Sequence, residues 1–142
     1  MRLSLLKSAE APDTEADLGL QEFTYAIYVH TEQWHESELI PLAWDLNDPV
    51  IAVPGKPGAD ALKINSTGAA LDAVKKSEDG KDLIVRFHEM HGGRALLRAD
   101  FIVPVSGIAE CNLMEEPIEA YAKGGIKKEL RPFEIVTYRI KI

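Results

Sequence analysis

The chain has 142 residues, of which 46% are apolar, enough for one ordinary domain with a real core. Its formal charge of −7 is spread without a basic block, which argues against nucleic acid and anionic membranes as partners, since both are held by clustered Lys and Arg. A single cysteine, Cys111, excludes an internal disulfide, no apolar run is long enough for a membrane-spanning helix, and Lys7 arrives too early for a signal peptide, so a cytoplasmic location is expected.

In chain order, LSLL (3–6) reads as a strand with no partner nearby, so the chain looks like a piece of something larger, and copies could pair through that edge into a homo-oligomer. The acidic loop that follows carries Asp13, Glu15 and Asp17. It opens like a calcium loop, but Gly19 falls at position seven and Thr24 at position twelve, where a bidentate Glu is required. An EF-hand is therefore rejected, and the loop reads as a solvated polar turn. EFTYAIYVH (22–30) places Phe23, Tyr25, Ile27 and Val29 on one face of a strand.

Residues 31–47 switch to helical spacing through Trp34, Leu39 and Leu42 or Ala43, with Thr31 as a candidate N-cap and Pro41 expected to kink or divide the helix. The segment 48–60, with three prolines and two glycines, reads as a linker between residues 1–47 and 61–142.

Period-two segments then follow at 62–65, 70–76, 82–89, 94–103, 107–114 and 132–142, with Gly124-Gly125 a turn before a strand. Asp79-Gly80 signals a hairpin, and Gly92-Gly93 and Pro104–Gly107 are expected to close two more. The fold class expected is mainly β, an antiparallel β-sandwich with one short helical segment near residues 31–47.

No motif completes an active site. His30, His35, His88 and His91 lack metal-ligand spacing and read as surface or turn residues, so no metal is assigned. Glu115-Glu116 and Glu78-Asp79 read as surface charges, because acid/base work needs a carboxylate in an apolar cleft. The serines lack a nucleophile elbow. Asn65-Ser66-Thr67 reads as a polar turn. Trp34, Trp44, Tyr121 and Tyr138 are candidates for stacking on sugars, though such aromatics usually belong to the core.

A resemblance is carried by Arg2-Leu3-Ser4-Leu5-Leu6-Lys7-Ser8, Pro12-Asp13, Ala16-Asp17, Gly19 and Glu22-Phe23-Thr24-Tyr25-Ala26. It continues through His30, Trp34, Leu46-Asn47, Lys76 to Gly80, Glu110-Cys111-Asn112-Leu113 and Pro132-Phe133-Glu134-Ile135. In this order they resemble the C-terminal region of α-mannosidases of glycoside hydrolase family 38. Gln21 stands where the family commonly has His, and Val29 where it usually has Pro.

The resemblance implies a retaining α-mannosidase as parent, with zinc and an aspartate nucleophile in an N-terminal domain whose motifs do not occur here. No catalytic residue and no cofactor is therefore assigned to this chain. Residues 1–30 would be the last strands of the parent's central β domain, and residues 60–142 its terminal sandwich. The expected partners are the remaining domains of the parent and, through it, an α-mannoside. Asp13, Asp17 and Tyr25 are the residues expected to help line the sugar cleft. The alternative is a free-standing carbohydrate-binding or interaction module.

Overall fold

A computed structural model of the protein describes residues 2–52, 54–55, 58 and 60–142. The chain divides into two compact units, Met1–Glu32 and Gln33–Ile142. Of the linker expected over 48–60, Val53, Lys56, Pro57 and Ala59 lie outside the described residues.

The larger unit holds one helix, α1 (Leu39–Asn47), and seven strands: β1 (Leu62–Ile64), β2 (Ala69–Lys76), β3 (Leu83–Glu89), β4 (Ala95–Phe101), β5 (Gly107–Cys111), β6 (Ile126–Leu130) and β7 (Ile135–Lys141). They form two antiparallel sheets, ordered β1-β4-β6 and β2-β3-β7-β5. Alternation decides the facing: Val85 and Phe87 of β3, Leu97 and Ala99 of β4, Ile126 and Leu130 of β6, and Val136, Tyr138 and Ile140 of β7 all enter one buried cluster. The expected mainly β architecture is what forms.

The Asp79-Gly80 hairpin is present: β2 pairs with β3 from Lys76↔Leu83 onward, and Gly80 takes φ 70°. The other two hairpins are not. Because β3 and β4 lie in different sheets, Gly92-Gly93 carries the chain from one sheet to the other, and residues 102–106 carry it back to β5. Local turn chemistry looks the same in both cases, and only the packing of two faces over one core separates them.

Helix α1 also differs from expectation. It starts at Leu39 rather than after Thr31, and residues 33–37 form turns closed by Glu36 and Ser37 N–H on the Gln33 carbonyl. Pro41 does not divide it, because it occupies the first turn, where a backbone N–H would have no helical partner. The Ser37 hydroxyl accepts the Leu39 N–H at 3.2 Å, doing the work expected of Thr31.

In the smaller unit neither 3–6 nor 22–30 is a strand among the described residues. Period-two spacing supplies an apolar face, but a strand also needs a ladder of neighbouring N–H and C=O groups. Leu3, Leu5, Phe23, Tyr25, Ile27 and Val29 remain exposed.

Leu97 is completely buried at the centre of the core. Leu97→Ala is expected to lower unfolding stability by about 3 kcal/mol, read as a fall in the urea midpoint at unchanged m-value.

Candidate functional site

The expected cleft residues all lie in the smaller unit. Asp13 Oδ1 accepts the Glu15 N–H at 2.9 Å, forming a local Asx turn. Asp17, at φ 63°, accepts the Ser8 N–H at 3.2 Å and so ties the loop to Ser8, itself at φ 50°. Tyr25 is exposed, and among the described residues no hydrogen bond joins it to either aspartate. The loop thus brings Asp17 back to Ser8 and leaves Tyr25 on a separate extended segment.

The histidines are dispersed. His30 Nδ1 lies 2.9 Å from the Glu32 carbonyl and its ring stacks on Tyr28. His88 Nδ1 lies 2.6 Å from Asp72, which sits at an irregularity in β2 where the register slips between Leu71 and Ala73. Among the described residues no three of His, Cys, Asp or Glu converge as metal donors.

Glu115 is a correction. Expected at the surface, it is buried at φ 64°, with Oε1 2.7 Å from Lys75 Nζ and Oε2 accepting the Glu78 N–H at 2.7 Å. The Lys75 side chain and that N–H hold its carboxyl below the ordinary Glu range. Beside it, Arg139 grips Asp79 and Asp82, each at 2.6 Å. The Ser77 hydroxyl, then Arg139, hold Asp79 far below the carboxylate norm. These pairs clip the loop after β5 to the β2–β3 hairpin. Cys111 lies buried close by, and burial pushes its thiol up.

Sequence reasoning missed Glu89. It ends β3 almost wholly buried, with Oε1 accepting the His91 N–H at 2.9 Å and Oε2 accepting those of Gly92 at 2.8 Å and Phe133 at 2.9 Å. Burial works to raise its pKa, but the N–H groups of Phe133, His91, Gly93 and Gly92 outweigh it and hold the group below its ordinary value. The available signal was a Glu at a buried strand position followed by Gly-Gly.

Two grooves lie on the larger unit. One, about 600 Å³, is formed by Trp34 against the Leu39, Ile40, Ala43 and Trp44 face of α1 and is almost wholly apolar. The other, about 550 Å³, lies beside the Glu89 cradle and is lined by Trp34, Phe133, Thr67, Gly93, His91 and Arg94. Of the candidate aromatics only Tyr138 is core. Tyr121 is half-buried beneath Lys141, and Trp34 and Trp44 are 42% and 44% exposed, contrary to the core reading of the pair.

Removing the Glu89 charge leaves its N–H donors facing a group that cannot accept from all of them. Glu89→Gln is expected to cost about 2 kcal/mol at neutral pH. Because folding depresses this pKa, the contribution is fully present above the ordinary Glu value of 4.5 and is lost as pH falls below it towards the folded value. Urea midpoints of the wild type and variant should therefore converge on acidification below 4.5.

Residues 68–138 match the profile of the glycosyl hydrolases family 38 C-terminal beta sandwich domain. The chain is 30% identical to Alpha-mannosidase 2C1 of Homo sapiens over 96% of its own length and 14% of the relative's. It is 33% identical to the Mus musculus protein of that name over 82% and 12%, and 30% identical to Alpha-mannosidase G of Dictyostelium discoideum over 96% and 14%. It therefore spans between 12% and 14% of these relatives. With its sandwich topology and these matches together, the chain belongs to the family 38 C-terminal β-sandwich domains.

Proposed function

We propose that the chain serves as a non-catalytic β domain of an α-mannosidase-type glycoside hydrolase, scaffolding the domain that carries the chemistry. The observation that carries this is the state of its carboxylates. Glycoside hydrolysis pairs one carboxyl of raised pKa, as acid, with a second across the anomeric centre. Here, among the described residues, the two buried carboxylates, Glu89 and Glu115, are both held below the ordinary Glu range. Glu89 is held by backbone N–H groups, while Glu110 and Glu115 face Lys128 and Lys75. These are the carboxylates of a scaffold.

The adjoining domains of the parent are the natural partners. The α1 groove and the exposed apolar residues of the 2–32 unit are surfaces suited to them, since patches of this kind mark interaction sites. A cytoplasmic location accords with one unpaired cysteine, and no described helix is long and apolar enough to cross a membrane. In the parent, the 12–22 loop lines the sugar cleft through Asp13 and Asp17, with Tyr25 following it.

Pure 142-residue protein is expected to release no nitrophenol from an aryl α-mannoside above the buffer rate. Turnover that co-purifies with the folded chain would overturn the scaffold reading. In the full-length enzyme, Asp17→Ala is expected to raise KM by about tenfold, a loss of about 1.4 kcal/mol of binding. Unchanged kinetics would remove the loop from the cleft.

A further inference from the structure

The groove beside the Glu89 cradle belongs to the larger unit, and its construction is unusual. Phe133 sits at φ 55°, a conformation that bulky L residues rarely adopt, yet its side chain is 64% exposed. Its N–H is held on Glu89 at 2.9 Å, and the Glu134 N–H closes a turn on the Arg131 carbonyl at 3.0 Å. The ring lies over Gly92, where a Cβ would meet Phe133 Cζ at 2.7 Å, and the φ of 72° at that position favours glycine. A buried carboxylate, a glycine turn and a strained backbone thus converge to hold one aromatic ring at the surface. Core packing supplies no reason for it.

Trp34 lines the same groove, half-exposed and edge-on to His35. Thr67, His91 and Arg94 line it as well, with Arg94 joined to Glu129 through one of its nitrogens at 2.8 Å. The one carboxylate lining the groove, Glu89, is turned into its own cradle. Aromatic walls over hydroxyl, imidazole and guanidinium groups suit a ligand with apolar C–H faces and a hydroxylated rim. A hollow of about 550 Å³ falls within the size range of small-molecule sites. The α1 groove, with its apolar Leu, Ile, Ala and Trp lining, suits a protein surface instead.

We infer that this groove is a carbohydrate-binding site for a pyranoside, stacking the ring between Phe133 and Trp34 and directing its hydroxyls to His91, Arg94 and Thr67. In the parent it would hold part of a mannoside away from the bond being cleaved, so the choice of sugar rests on the proposed α-mannosidase context.

The 142-residue chain titrated with methyl α-mannoside, followed by amide and indole proton–nitrogen spectra, provides the test. Saturable shifts are expected at the Trp34 indole and the Gly92 and Gly93 amides. Phe133→Ala and Trp34→Ala should each weaken binding by about tenfold or more, with Trp44→Ala unchanged. Trp34 lies outside the Glu89 cradle, so its variant remains informative if Phe133→Ala unfolds. Absence of shifts at saturating sugar, or equal affinity in the Trp34 and Phe133 variants, would overturn the site. Shifts absent here but restored contacts to the rest of the full-length enzyme would make the groove a domain interface and equally overturn it. Hydrolysis by the full-length enzyme is scored separately: turnover without groove binding removes only this inference, and groove binding without mannoside turnover removes only the proposed parent activity.

Discussion

The carboxylate of Glu89 gathers the N–H groups of His91, Gly92 and Phe133, and two of the connections between strands meet at that cluster. Strand β3 ends there, the crossing to the second sheet begins there, and the turn into β7 is fixed there. Turns that change sheets leave donors without ladder partners, and a buried donor left alone is costly. One ionised side chain satisfies them together, and it stays ionised because the donors outweigh its burial. The same carboxylate positions Phe133 at the surface, so a structural requirement and the aromatic groove share one origin.

At the opposite side of the β2–β3–β7–β5 sheet, charge performs a related task with side-chain donors. Arg139 on β7 reaches Asp79 and Asp82 in the hairpin, and Lys75 reaches buried Glu115 in the loop after β5. Removing either partner of such a pair would strand its mate, so these contacts specify the arrangement of loops more than they add net stability. Ser77 and Arg139 hold Asp79, and Lys75 and the Glu78 N–H hold Glu115, below the ordinary carboxylate range.

The apolar surface left open is informative about context. Leu42, Trp44 and Leu46 on α1, and Leu3, Phe23, Ile27 and Val29 in the smaller unit, are more exposed than a self-sufficient fold usually leaves them. A chain matching 12–14% of its α-mannosidase relatives has much polypeptide in those relatives to set against such surfaces.

Alternation along 82–89, 94–103 and 132–142, and the Asp79-Gly80 turn, were enough to read a mainly β sandwich, because side-chain period and turn dihedrals are local properties. The ordered RLSLL, PD…AD and EFTYA segments were likewise enough to read the family. What local pattern leaves open is partnership. Residues 3–6 and 22–30 have strand spacing but gain no ladder, and Gly92-Gly93 has hairpin chemistry but changes sheets. Glu115 looked like a surface charge until Lys75 came within reach from β2, and Glu89 gained its role from Phe133, a residue remote in sequence. The sequence by itself determined which residues alternate, where the chain turns and which family it resembles. Tertiary structure alone decided which strands pair, which carboxylates are buried and where the aromatic groove opens, since each depends on contacts between segments far apart in the chain.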